Sequence, residues 1–283
     1  MNNSNEILIK ALKNKYAVAQ FNINNLEWTK YILEECEKNK APVILGVSEG
    51  AIKYMGGYNV VSNIVKSLIK DLNITIPVVL HLDHGSSIES CKKAIDAGFT
   101  SVMIDASKYE LSKNIEIVKE VVNYAKRFNV SVEAEVGHIG GDEDGIANEI
   151  YFAKTEECSR LVKETHIDTL APALGSVHGL YKGKPNLNYT RMKEISEKLN
   201  IPLVLHGGTG IPDEDILKAI ENGINKININ TELQLAWNKG VRKYIKENED
   251  VYDPRKIISA GESNIKKCIE DKLHVLRSSN RIG

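Results

Sequence analysis

Three histidines, His84, His178 and His206, each stand just past a short apolar run, and each precedes glycine: His84-Gly85, His178-Gly179 and His206-Gly207-Gly208. Three neutral imidazoles converging on one point make an open metal site, because zinc on three protein ligands keeps its fourth position for water or substrate. Carboxylates accompany them: Asp83 adjoins His84, Asp105 follows Ile104, and Glu133-Ala134-Glu135 closes another apolar run. Asp83 can stand over the open position and give or take a proton; the alternative is that it orients a ligand imidazole through the second ring nitrogen. A lone histidine is most often a satisfied hydrogen-bonded residue, but three at strand ends with acids between them are better explained by a metal. His81, inside its apolar run, reads as buried support. His166 and His274 read as solvent-facing helix residues, and His138 as a loop residue near the site.

A second chemistry follows the last two apolar runs. Gly207-Gly208-Thr209-Gly210-Ile211-Pro212 and Asn228-Ile229-Asn230-Thr231 offer exposed backbone N–H groups and a helix N-terminus, the means by which barrel proteins hold phosphate. Neither a Walker lysine nor GxGxxG is present, so nucleotide binding is not implied. The loop from Gly137 to Gly145, with glycines around an acidic tip, reads as a flap able to swing a carboxylate inward. Lys182 and Lys184 are either phosphate contacts or exposed. Lys226 opens the eighth apolar run, which puts it at the wrong end of that run for a Schiff base at the site.

Bringing these groups together demands a particular scaffold. Runs rich in Val, Ile, Leu and Ala start near Ala17, Val43, Val78, Ser101, Val132, Thr169, Leu203 and Lys226, about 30 residues apart, and each reads as a buried strand. Between them lie helical periods, such as Val61, Val65, Leu68 and Leu72, or Ile115, Val118, Val122 and Ala125. Ser87 reads as a helix cap with Gly98 past the end, and Pro212 as first-turn proline of a helix ended by Gly223. Eight such units predict an α/β fold, a (β/α)8 TIM barrel with extra C-terminal helices, with chemistry at the C-terminal ends of the strands. His84, His178 and His206 then belong to strands three, six and seven. Residues 1–283 read as a single domain, the barrel over about 1–240 and a helical tail over about 241–283, available to pack against a partner subunit.

Composition narrows the partners. The chain has 283 residues, and 37 basic against 38 acidic side chains leave a net charge of -1. With no Lys/Arg block, neither nucleic acid nor an anionic membrane is an expected partner, and small molecules are favoured. Cys36, Cys91, Cys158 and Cys268 are far apart on helical segments and read as reduced. The first residues show no basic flank with an apolar core, and no apolar stretch approaches the ~20 residues that span a bilayer, so a cytoplasmic location is expected.

Taken in order, His81-Leu-Asp-His84-Gly, Glu133-Ala-Glu135, Gly175-Ser-Val-His178-Gly179, His206-Gly-Gly-Thr-Gly-Ile-Pro212 and Asn228-Ile-Asn-Thr231 resemble the class II, zinc-dependent fructose-bisphosphate aldolases over essentially the whole chain. Phe21-Asn-Ile-Asn-Asn25, Gly46-Val-Ser48-Glu-Gly50 and Tyr54-Met-Gly-Gly57 are similar to the short bacterial form. The resemblance implies that His84, His178 and His206 bind a catalytic zinc ion and that Asp83 is the proton donor. It implies a second or alternative divalent-metal position at Asp105 and Glu135, and it leaves room for a monovalent cation. Gly179, Gly207, Gly208, Thr209, Asn228, Ile229, Asn230 and Thr231 would bind dihydroxyacetone phosphate, and Ser48 would contact glyceraldehyde 3-phosphate. Glu143 matches a flap glutamate that moves the proton during enolisation. Arg255, in Asp253-Pro254-Arg255, matches an arginine reaching the distal phosphate from a neighbouring subunit, in a homodimer or homotetramer.

The activity implied is reversible aldol cleavage of fructose 1,6-bisphosphate, with zinc as the electron sink. Asn230 favours fructose over tagatose bisphosphate, since tagatose-specific relatives usually carry alanine there. Two readings from other classes stand beside it. A metal-dependent hydrolase on the same barrel would show an HxH pair on strand one, where this chain has Gln20-Phe21-Asn22. A non-catalytic sugar-phosphate binding protein would need neither Asp83 nor Glu143.

Overall fold

Eight apolar runs become eight parallel strands that close on themselves. The computed structural model describes residues 1–143, 146–148, 151–179, 181, 183 and 185–282, and for 140–143 and 146–148 it describes the backbone. The barrel strands are β1 (Val18–Asn22), β2 (Val43–Val47), β3 (Val78–Gly85), β4 (Ser101–Ile104), β5 (Ser131–Val136), β8 (Thr169–Pro172), β10 (Leu203–Leu205) and β11 (Ile224–Ile229), paired in that order with β11 closing on β1. Each begins within two residues of its predicted start. A separate small sheet, ordered β7-β6-β9, comprises β6 (Gly140–Glu143), β7 (Ile146–Asn148) and β9 (Val177–His178).

Helix α1 (Ser4–Asn14) precedes β1, α2 (Leu26–Lys38) follows it, and α3 (Glu49–Met55) and α4 (Tyr58–Asp71) follow β2. The later crossovers use α5 (Ile88–Ala97), α6 (Leu111–Lys126), α7 (Thr155–Thr165), α8 (Tyr189–Leu199) and α9 (Asp213–Glu221). Then come α10 (Thr231–Glu247), α11 (Pro254–Ser259) and α12 (Glu262–Val275). Local signals explain the ends. The Ser87 hydroxyl accepts the Ser90 N–H at the start of α5, and Gly98 ends it in the left-handed conformation. Pro212 stands one place before α9 rather than inside its first turn.

Alternation along the strands sorts the core into two layers. Phe21, Leu45, Leu80 and Leu82 pack outward against the helices. Val18, Ile44 and Val79 point inward and meet Tyr16 and Ile7, Leu8 and Ala11 of α1, which close the N-terminal end of the barrel. Each large apolar side chain so buried contributes about 1.5–3 kcal/mol. Above that floor the inward positions turn polar: Gln20, His81, Glu133 and Lys226, then Asn22, Asp83, Glu135 and Asn228, all less than a tenth exposed.

Two expectations need correction. The C-terminal helix α12 is not an unpartnered tail: Ile265, Ile269 and Leu273 are fully buried, and it packs on α10 and α2 of its own chain. An amphipathic helix buries its apolar stripe on the apolar faces its own chain offers, here those of α10 and α2. His178, expected to continue strand six, lies on β9 of the small sheet, beyond the end of β8 at Pro172. All four cysteines are free, and no described helix is long and apolar enough to cross a membrane.

Candidate active site

A regular strand would send Asp83 and His84 to opposite faces. In β3 it does not, because the register against β4 shifts between Leu82 and Gly85, and His84 takes φ 46 in the left-handed region. Such a bulge re-aims side chains at the rim of a barrel, and the backbone strain falls on the residue whose direction matters. Gly85 is required next: a Cβ there would stand 2.6 Å from the Met103 carbonyl oxygen.

His206 follows β10, and the glycine after it also has a structural cause. Gly207 has φ +66, and a Cβ on it would lie 2.0 Å from the Val177 carbonyl oxygen. The bare backbone lets β9, which carries His178, come against the His206 turn. Tyr181 staples the two, its hydroxyl accepting the Val177 N–H at 3.1 Å and donating to the Gly207 carbonyl at 3.1 Å.

The three rings meet at centroid separations of 4.5 Å (His84–His206), 4.9 Å (His84–His178) and 5.7 Å (His178–His206). Their possible ligand atoms all fall within 4.8 Å of one another. The outer nitrogens are tied to carboxylates: His206 Nε2 to Glu133 Oε1 at 2.9 Å, and His84 Nδ1 to Asp105 Oδ2 at 3.0 Å. That leaves His84 Nε2 and His206 Nδ1 facing each other at 2.7 Å. Carboxylates on the far nitrogens fix the tautomer and turn the lone pairs inward, as imidazole ligands need, so this donor set fits a divalent ion. Burial, and then the charge of His84, push the His206 pKa down, which favours the neutral ring that a metal requires.

Asp83 sits beside this cluster, 2% exposed. The Asn22 amide donates to its Oδ2 at 2.8 Å, and the Asn228 amide reaches Oδ1 at 3.4 Å. Burial works against the carboxylate, but the charges of His84, His206 and Lys226 prevail and hold it below the usual range. Asp83 is thus a buried carboxylate aimed by two amides.

His84, Asp105 and Glu135 form a second group with ligand atoms within 4.8 Å of one another. Burial opposes ionisation of Asp105, yet His84 and the Ser107 donors keep it below the ordinary carboxylate range. Glu135 goes the other way, raised well above its ordinary value by burial and then by Asp105. Its Oε2 is buried without a hydrogen bond, the state of an acid that a cation in this group would satisfy. His138 supports the group from its loop, with Nδ1 3.0 Å from the Ser107 hydroxyl, which itself donates to Asp105.

Lys226 corrects the sequence. It lies inside β11, not at its start, and its ammonium bonds Glu133 Oε2 at 2.6 Å in the barrel interior. Through Glu133 it stands one residue from His206. His81 is buried support as expected, with Nδ1 2.8 Å from the Ser101 hydroxyl and Nε2 3.9 Å from Glu133.

A cleft with about 740 Å³ of empty space opens over these groups. Ser48, Gly179, Gly207, Thr209, Asn228, Asn230 and Thr231 line it together with Asp83, His178 and His206. Ser48 also caps α3, accepting the Ala51 N–H at 3.2 Å. Gly208 and Ile229 are not among the lining residues: the Gly208 N–H is spent on the Asn228 carbonyl at 3.0 Å, and Ile229 is core. Arg255 is not brought to this cleft. Its side chain is 89% exposed, pairs with Asp253 and lines a separate groove beside Tyr252. The Glu143 side chain, Asp144, Gly145, Lys182 and Lys184 lie outside the described residues. The motifs carry no sign of Gln234 or of the pairing of Glu133 with Lys226, and they quote Asn22 without giving it a role. Asn22, as the polar end of strand one, was visible by the same rule that found the others.

The chain is similar to known proteins over nearly its whole length. A family model described as fructose-bisphosphate aldolase class-II matches residues 2–281. A fructose-bisphosphate aldolase of Geobacillus stearothermophilus is 57% identical over 277 residues, covering 98% of this chain and 96% of the relative. Among solved structures, the YdjI aldolase from Escherichia coli K12 has a TM-score of 0.87 at 31% identity, covering 99% of both chains. The fructose-bisphosphate aldolase from Campylobacter jejuni has a TM-score of 0.83 at 25% identity, covering 98% of this chain and 95% of that one.

Proposed function

The chain belongs to the class II fructose-bisphosphate aldolase family, and from that premise we propose that it cleaves fructose 1,6-bisphosphate reversibly to dihydroxyacetone phosphate and glyceraldehyde 3-phosphate with a zinc ion held by His84, His178 and His206. The family implies a divalent metal and a phosphorylated sugar as substrate. The metal, when bound, supplies a Lewis acid for the ketose carbonyl. The chain's own residues do the rest. Asp83 takes the proton from the hydroxyl on carbon four as the bond between carbons three and four breaks, with Asn22 and Asn228 keeping its oxygens aimed. Glu143, from β6, returns a proton to carbon three of the remaining triose.

Gly207, Thr209, Asn230 and Thr231 hold one phosphate at the turns after β10 and β11, Gly208 and Ile229 serving by packing those turns. Ser48, just past β2, faces the aldehyde product from the same cleft. Asp105 and Glu135 with His84 offer a second metal position. The exposure of Arg255 supports a role in a neighbouring subunit's site, and hence a homodimer or homotetramer, and the fructose-bisphosphate aldolase relatives support a location in the cytoplasm. Residues 1–283 act as one domain in this account.

The observation that carries the proposal is the amide-held Asp83 carboxylate beside three converging imidazoles. A coupled aldolase assay on fructose 1,6-bisphosphate, with and without chelator, tests it. Turnover should vanish with chelator and return with zinc; activity that resists chelator and dies with borohydride would overturn it. Asn230 lines the cleft, so turnover on the tagatose epimer should be the lower of the two, and equal or higher turnover would reassign the substrate.

A further inference from the structure

Both phosphate turns run directly into helices that begin with acids: Asp213 is the first residue of α9, and Glu232 lies in the first turn of α10. Acids there suit the helix dipole. They also compete with a bound phosphate, since both negative charges draw on the same unsatisfied N–H groups. The two turns are already linked, because the Glu232 N–H donates to the Thr209 hydroxyl at 3.3 Å and Thr209 lines the cleft.

The compensating charge comes from the far end of the chain. Lys272, on α12, is only 7% exposed. Its ammonium is 3.0 Å from Glu232 Oε1 and 3.8 Å from Asp213 Oδ1, so one buried cation spans the first turns of both helices. An ammonium is costly to bury unless it is paired. Here the pairing falls on the one pair of helices whose N-termini follow the two turns.

We propose that Lys272 is a positioning residue for substrate phosphate: it holds the Glu232 side chain away from the cleft and offsets its charge, so that the turns ending at Thr209 and Thr231 can accept an anion. The inference rests on the reading of those turns as phosphate-binding. Lys272 touches no substrate. Its effect is therefore on binding rather than on the chemical step.

The test uses the zinc-loaded enzyme and two readouts, KM for fructose 1,6-bisphosphate and the inhibition constant of inorganic phosphate. Metal content is measured alongside. Lys272→Met should raise both constants about fivefold to tenfold, with kcat within about twofold and metal content unchanged. The double variant Glu232→Gln/Lys272→Met, which removes the acid as well, should return both constants to within about twofold of the parent. If Lys272→Met does not fold, Lys272→Gln is measured with the same expectations. Parent-like constants in the single variant overturn the inference, as does a double variant no better than the single one, which would make Lys272 a packing residue. A parent enzyme that inorganic phosphate fails to inhibit would instead sink the assignment of the turns themselves, a separate failure.

Discussion

At the scale of single residues, the site depends on side chains whose partners are distant in sequence. From the role proposed for Asp83, Asp83→Ala should lower kcat by about 10²–10⁴-fold while the protein keeps its metal, as measured by steady-state assay and metal analysis. Near-normal turnover would remove Asp83 from the chemistry. His81 makes a different prediction. Burial, with Lys226 adding to it, pushes His81 down to about 3 from the ordinary 6.5. Because the folded value lies below the unfolded one, the unfolded chain takes up a proton that the folded chain refuses. The stabilisation is full above pH 6.5 and is lost as pH falls toward 3, by about 1.4 kcal/mol per pH unit. The melting temperature of chelator-treated His81→Asn should therefore fall less steeply than that of the parent between pH 6.5 and 4.5; parallel curves would refute the assignment. The histidines and Asp83 were legible because their types stand at the ends of apolar runs. The Glu133–Lys226 clamp was not, since its members are 93 residues apart and a lysine in a strand carries no local sign of which carboxylate it meets.

At the scale of elements, the glycines after the histidines are the instructive case. As sequence they are only a shared neighbour; in the structure two of them are sites where another backbone approaches within the reach of a Cβ. Gly207→Ala would need Val177 to move, and with it His178. It should lose more than about 1–2 kcal/mol of stability and weaken metal binding, whereas Gly183→Ala, with no described atom within 4 Å and no left-handed backbone to strain, should do neither. Thermal melts and metal titrations of the two variants decide it, and identical behaviour would count against the close approach. Strand positions were readable in advance because a fully buried parallel strand is a continuous apolar run. The small sheet was not readable. Its strands Gly140–Glu143, Ile146–Asn148 and Val177–His178 are short and glycine-flanked, with no apolar period to announce them. The bulge at His84 was equally silent, because a left-handed histidine looks like any other in sequence.

At the scale of the whole molecule, the last helix joins the second and the tenth: α12 packs on α2 and α10, and its Leu273 is fully buried. Leu273→Ala should therefore cost about 2–5 kcal/mol in urea denaturation, the range for a core leucine; a loss below about 1 kcal/mol would return α12 to the status of a loose tail. The polar interior belongs to this scale as well. A closed barrel aims every second residue of eight strands at one axis, so Gln20, His81, Glu133 and Lys226 become neighbours although nothing adjacent in the chain joins them. The amino-acid sequence by itself determined the eight strands, the barrel, and the place of three histidines, their aspartate and two glycine- and asparagine-bearing turns at the strand ends. These are short-range signals, written in apolar period, turn glycines and adjacent residue types. Only the tertiary structure decided that Asp83 and His84 share a face, that His178 arrives on a separate sheet, that Lys226 anchors Glu133, and that α12 delivers Lys272 to Asp213 and Glu232. Each of these depends on register, a bulge or a long-range contact, and such relations exist only once the barrel has closed.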